Sequence, residues 1–286
     1  MTIRRLQGLR EIAAGYDGLV LDLWGVLHDG QRPFPDVVPA LTALKQAGKR
    51  LAILSNAPRR AALVEARMNE IGLAPGLYDH VHSSGEETWQ HLRRRDDAFY
   101  AALGRRCYHI GPTRDDNMLE GAGLTRVASL AESQFILNTG PSDWDETVAQ
   151  YEPLLQEALA RGLPMVCANP DLVVIHHGRR SICAGAVAER YEALGGTVRW
   201  HGKPMPGVYH TVFQWLGVAD KRRVLAVGDS LRTDIAGANN AGIDSVLVLT
   251  GIHAEELSAI EPHALAEALG RHGDDRPTAV IDHFRW

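Results

Sequence analysis

The chain has 286 residues, about the length of two domains or of one large α/β domain. Hydrophobic residues make up 45% and charged residues 23%, which excludes a disordered, collagen-like or coiled-coil chain. Its 30 basic and 35 acidic residues give a net charge of −5, so nothing draws the surface to nucleic acid or to an anionic membrane.

No run of about 18 uncharged apolar residues is present to span a bilayer. The cysteines are Cys107, Cys167 and Cys183, an odd number without a CxxC spacing. That usage argues for a reducing, cytoplasmic setting and against a disulfide framework or a zinc knuckle.

The opening residues, MTIRRLQGLREIAAGYD, carry early arginines. Arg10 and Glu11 interrupt any apolar stretch, so this segment is expected to be a short helix and not a signal peptide. Residues 19–23 (LVLDL) read as a buried strand, 36–48 as a helix closed by Gly48, 51–54 as a second strand and 58–71 as a helix stopped by Gly72. Strand–helix alternation of this kind predicts a parallel sheet covered by helices on both faces. The middle is less regular, with a strand at 134–137, a helix at 146–161 and a strand at 165–168. The rhythm returns with a helix at 206–217, a strand at 224–227, a helix at 233–242, a strand at 246–249, a helix at 253–270 and a strand at 278–281. The expected organisation is a core from 1–103 and 186–286 with an inserted domain at 104–185.

Several motifs fail. Gly121-Ala122-Gly123 has Arg126 where a dinucleotide fingerprint needs its third glycine, and Gly202-Lys203 is followed by Pro204 instead of the Ser/Thr of a P-loop. His80 and His82 would share one face of a strand, while His176 and His177 would point to opposite faces; neither pair has a carboxylate or cysteine pattern to make a metal site. Arg93-Arg94-Arg95 reads as a solvated helix end.

Other residues form an ordered set. Two predicted strands run into an aspartate at their carboxyl ends, Asp22 after LVL and Asp229 after VLAVG. In a parallel α/β sheet ligands sit outside those ends, and two carboxylates there suit a hard cation such as Mg²⁺. Either aspartate alone could equally cap a turn or helix. A third strand ends in Ser55-Asn56-Ala57-Pro58, a strand-to-helix corner that suits an anion or a simple N-cap. Lys203, between Gly202 and Pro204 ahead of a helix, could neutralise a phosphate or an aspartate, or lie in solvent.

In order, Asp22, Ser55, Lys203 and GDSLRTD at 228–234 resemble the four motifs of the haloacid dehalogenase (HAD) superfamily. GDSLRTDIAGANNAGIDSVLVLTG at 228–251, the SNAPR segment, Asn169-Pro170-Asp171 and GKP at 202–204 are similar to its class IIA branch, which carries a C2-type cap. That branch includes p-nitrophenyl, nucleotide and pyridoxal phosphate phosphatases. The resemblance implies an α/β fold, with a Rossmann-like core, a parallel sheet and an inserted α/β cap. It implies Mg²⁺-dependent phosphoric-ester hydrolysis with Asp22 as nucleophile through an aspartyl-phosphate. It implies Ser55, Asn56 and Lys203 as phosphate binders. The metal would lie at Asp22, the backbone carbonyl of Trp24 and Asp229, with Asp234 behind them. Asn169 and Asp171 would contact substrate from the cap. The partner would be a small phosphorylated metabolite, with no nucleic acid or membrane, and the chain would pair through its cap as a homodimer.

One residue departs from the pattern. The family's phosphatases carry a second aspartate two residues after the nucleophile, to exchange the proton of the leaving oxygen; here Trp24 stands there. Indole cannot serve as an acid–base group. Three readings follow: a phosphatase for substrates with good leaving groups, with His28 or Asp29 as a substitute donor; a dehalogenase-type hydrolase, whose relatives carry a tyrosine at this position; or a phosphometabolite-binding or regulatory protein with vestigial catalysis.

Overall fold

The structure is a computed structural model that describes residues 3–176, 178–258, 260 and 262–286. His177 therefore lies outside the described residues. The chain divides into two compact units. The first comprises the segment ending at Ser55, Glu65–His82 and Lys203–Trp286; the second comprises Asn56–Val64 and Ser83–Gly202.

The first unit is built on a seven-stranded sheet in the order Arg4–Leu6, Ala279–Ile281, Asp244–Val248, Val224–Gly228, Gly18–Leu21, Arg50–Ser55, His80–Ser83. From Arg4–Leu6 across to Arg50–Ser55 every pair is parallel. The apolar runs LVL, LAIL and VLAV form central strands because both of their faces are buried. On one face Val20, Ala52, Leu54, Val224 and Ala226 pack with Val208, Tyr209, Val212 and Leu216 of the helix Pro206–Leu216. Leu19, Leu21, Leu51 and Ile53 alternate with them and are buried as well. Register decides the rest. Leu21 lies opposite both Val227 and Ile53. Asp22, Ser55 and Asp229 therefore leave three adjacent strands within one residue of a common level.

The second unit has a five-stranded sheet in the order Val198–Trp200, Met165–Cys167, Phe135–Asn138, Arg106–Ile110, Thr125–Val127, with all pairs parallel. Ile136, Met165 and Cys167 face one core with Val187 and Tyr191, and Phe135, Leu137 and Val166 face another with Trp89, Leu92 and Tyr100. A two-stranded antiparallel ribbon, Val173–His176 with Arg179–Ile182, completes it. Among the described residues no helix is long and apolar enough to cross a membrane.

Some elements differ from the sequence expectation. The opening segment is not a plain helix: Arg4–Leu6 is an edge strand on Ala279–Ile281, followed by two short 3₁₀ turns. The expected helix at 233–242 starts earlier, as a π-type turn Leu231–Ile235 that runs into Ala236–Ala241. The expected helix at 253–270 comprises Ala254–Leu257 and Pro262–Gly270, since Pro262 suits a first helical turn better than a helix interior. The inserted unit reaches well beyond 104–185. The helix Ser84–Arg94 gives Trp89 and Leu92 to its core, and Val198–Trp200 pairs with Met165–Cys167. That helix ends where Arg95 turns left-handed at φ 53°, leaving Arg93 and Arg94 exposed in its last turn, as expected.

Candidate active site

The first unit gathers Asp22, Lys203, Asp229 and Asp234, all buried. Lys203 Nζ donates to Asp22 Oδ1 at 2.6 Å, to Asp234 Oδ1 at 2.7 Å and to the Leu54 carbonyl at 2.7 Å. Burial opposes the ammonium charge, but Asp22 and Asp234 outweigh it and hold the Lys203 pKa above the ordinary lysine value. Asp234 also accepts the Ser230 amide at 3.2 Å through Oδ2, so both of its oxygens are engaged inside the protein. Ser55 ends the strand Arg50–Ser55 and is 5% exposed.

Asp229 follows the strand Val224–Gly228, and its Oδ2 accepts the Ile252 amide at 2.9 Å. Backbone presses close here. A Cβ on Gly25 or Gly251 would collide with Asp229 Oδ2, and Gly25 holds φ +84°. Thr250 Oγ1 donates to the Gly25 carbonyl at 2.6 Å and fixes the same loop. Carboxylate oxygens of Asp22, Asp229 and Asp234 lie within 4.8 Å of one another. Three crowded, buried carboxylates repel one another, and Lys203 supplies one positive charge against them. An all-oxygen donor set with excess negative charge fits a hard divalent cation such as Mg²⁺.

Trp24 begins the turn that follows Asp22. Its ring meets the His28 ring edge-on, with centroids 5.4 Å apart, and packs on the Gly30 backbone. Neither expected substitute donor is poised for proton transfer. His28 Nδ1 accepts the Gly30 amide at 2.8 Å, and burial pushes the His28 pKa down to about 4. Asp29 Oδ1 accepts the amides of Gln31 at 2.9 Å and Arg32 at 3.0 Å, which closes a turn.

The remaining candidates lie in the second unit. Asn56 Nδ2 donates to Asp171 Oδ1 at 2.8 Å, and the Asp171 amide donates to Asn169 Oδ1 at 2.9 Å. Asn169 thus shapes a turn that aims Asp171 at Asn56. His80 and His82 do share a face, and both rings pack on Trp215. Sequence reasoning passed over Thr250, Ile252 and Tyr209. The hydroxyl of Tyr209 donates to the Asp234 carbonyl at 3.5 Å from inside the helix Pro206–Leu216, where it reads as an ordinary core aromatic.

Family models described as haloacid dehalogenase-like hydrolase match residues 19–125 and 143–242, and an HAD-hydrolase-like one matches 200–285. D-glycerol 3-phosphate phosphatase of Mycobacterium tuberculosis is 30% identical over 287 residues, covering 97% of this chain and 77% of that protein. A haloacid dehalogenase-like hydrolase from Brucella suis superposes with a TM-score of 0.83 at 30% identity, covering 98% of this chain and 99% of the other. A glycerol phosphate phosphatase of Mycobacterium tuberculosis, solved in complex with magnesium, superposes at 0.67 with 26% identity, covering 96% and 76%.

Proposed function

The chain belongs to the haloacid dehalogenase-like hydrolases, in their class IIA phosphatase branch, and from that membership we propose an Asp22-dependent hydrolysis of small phosphorylated metabolites. It is a phosphoric-ester hydrolase. The observation that carries the role of Asp22 is its contact with Lys203, which also holds Asp234 at the carboxyl end of the sheet.

An Asp22 oxygen forms a bond to phosphorus as the P–O bond to the leaving group breaks, giving an aspartyl-phosphate and a departing oxyanion that takes any proton it needs from solvent water. Water then cleaves that acyl phosphate, returning the carboxylate and releasing inorganic phosphate. Ser55 and Lys203 bind the phosphoryl oxygens, so most of the catalysis is positioning and charge stabilisation. Mg²⁺, held by Asp22, Asp229 and the Trp24 carbonyl with Asp234 behind them, would supply charge neutralisation at the phosphoryl group.

Trp24 sets the leaving group. It stands where the family's phosphatases carry the aspartate that protonates the departing oxygen, and the nearby His28 and Asp29 are held in turn contacts. Phosphates that depart without help, such as aryl and acyl phosphates, are therefore the favoured substrates. A carboxylate-rich centre that wants a cation speaks for phosphoryl transfer over carbon–halogen cleavage. The intact nucleophile speaks against a purely binding role. Cys107, Cys167 and Cys183 are buried and form no disulfide, which suits a reducing cytoplasm. The test is hydrolysis of p-nitrophenyl phosphate and acetyl phosphate with Mg²⁺ by wild type and Asp22→Asn. Turnover by wild type alone supports the assignment, and equal turnover by both overturns it.

A further inference from the structure

A second group of potential ligands lies wholly inside the second unit. Glu87 and His91 sit four residues apart on the helix Ser84–Arg94, so they share one face of it. His201 follows the strand Val198–Trp200. One ligand atom from each of the three comes within 4.8 Å of the others. His201 Nδ1 is 3.2 Å from Glu87 Oε2, and the His91 and His201 rings are 5.1 Å apart. Two donors on a tetrahedral zinc ion stand about 3.3 Å apart, given bonds of about 2.0 Å.

The surroundings fit a ligand set. His91 Nδ1 is buried and makes no hydrogen bond; the Asp96 carboxylate lies 3.9 Å away. Burial, with repulsion from His201, holds the His91 pKa below the ordinary histidine value. His201 Nε2 meets the Tyr100 hydroxyl, which can orient the ring with Nδ1 toward Glu87. The Gly202 amide donates to Glu87 Oε2 at 2.9 Å and fixes the carboxylate. A Cβ on Gly202, at φ +87°, would strike Asn56 and Ser84, so this loop keeps one shape.

We propose that Glu87, His91 and His201 form a site for one divalent transition-metal ion, of which zinc is the fitting example. Two imidazoles and one carboxylate suit zinc far better than magnesium. The ion ties the helix Ser84–Arg94 to the segment just ahead of Lys203. Its role is structural, and it stands apart from the Asp22 centre in ligand type.

The test uses the full, untagged chain, stripped of metal and titrated with Zn²⁺ against a chromogenic chelator in excess Mg²⁺. The expected result is one tight equivalent, weakened at least ~10-fold by His91→Ala. His272→Ala, which breaks the exposed His253–Glu256–His272 cluster, and Asp229→Asn should leave that equivalent in place. Co²⁺ in place of Zn²⁺ should give the visible absorption of a tetrahedral centre in wild type and lose it in His91→Ala. Should circular dichroism show His91→Ala unfolded, Glu87→Gln carries the same comparison, since it keeps the acceptor for the Gly202 amide. No tight zinc in wild type, undiminished zinc in the helix variants, or loss of zinc in His272→Ala or Asp229→Asn would each overturn the proposal.

Discussion

Lys203 Nζ stands between Asp22 and Asp234, 2.6 Å from one carboxylate and 2.7 Å from the other, with all three side chains buried. This one ammonium holds the proposed nucleophile Asp22 and lets two carboxylates share a buried site. Removing one member of a buried ionic cluster leaves uncompensated charge, at a cost of about 3–5 kcal/mol. Lys203→Met should therefore lower the unfolding free energy by that order and abolish turnover. Denaturant unfolding monitored by circular dichroism checks it; an unchanged midpoint would contradict it.

The Trp24 position makes a gain-of-function prediction. General acid–base help is worth about 10²–10⁴-fold. Trp24→Asp should raise kcat on alkyl phosphates within that range and have far less effect on acetyl phosphate. Steady-state kinetics on both substrates distinguish this from a general change in binding, which would move KM on both alike.

Gly25 lies against the Asp229 carboxylate and holds a left-handed φ of +84°. Gly25→Ala meets a positive φ and the Asp229 carboxylate together, so strain of about 1–3 kcal/mol falls on this loop. The expected outcome is weaker Mg²⁺ binding by calorimetry with the overall fold intact. Unaltered Mg²⁺ affinity would show that Asp229 has no part in holding the cation.

His28 gives a pH dependence to stability. Burial pushes its folded pKa from the ordinary value down to about 4, so the unfolded chain takes up a proton first. Its contribution is complete above about pH 6.5 and is lost as the pH falls toward 4, an effect of about 3 kcal/mol. Denaturant midpoints between pH 7 and 4 should fall less steeply in His28→Asn than in wild type. Parallel slopes would place the acid sensitivity elsewhere.

The centre of the first unit was legible because each of its residues sits in a short, local signal. Asp22 and Asp229 close apolar runs, and register alone brings those runs level. The N-terminal strand Arg4–Leu6 was not legible, because an edge strand pairs through its backbone and two arginines in three residues leave no apolar alternation. The extent of the second unit was hidden for another reason: Trp89 and Leu92 look the same whichever core they fill. The Glu87–His91–His201 cluster joins distant parts of the chain, so only the folded unit reveals it.

The most direct test of the central claim is acid-quench mass spectrometry of the protein with acetyl phosphate and Mg²⁺. With Trp24 in place of an acid–base group, breakdown of the intermediate should be slow. A phosphoryl group should then accumulate on the peptide that contains Asp22, be released by hydroxylamine and be absent from Asp22→Asn. Rapid steady turnover with no phosphate on Asp22, or phosphate mapped to another residue, would contradict the account.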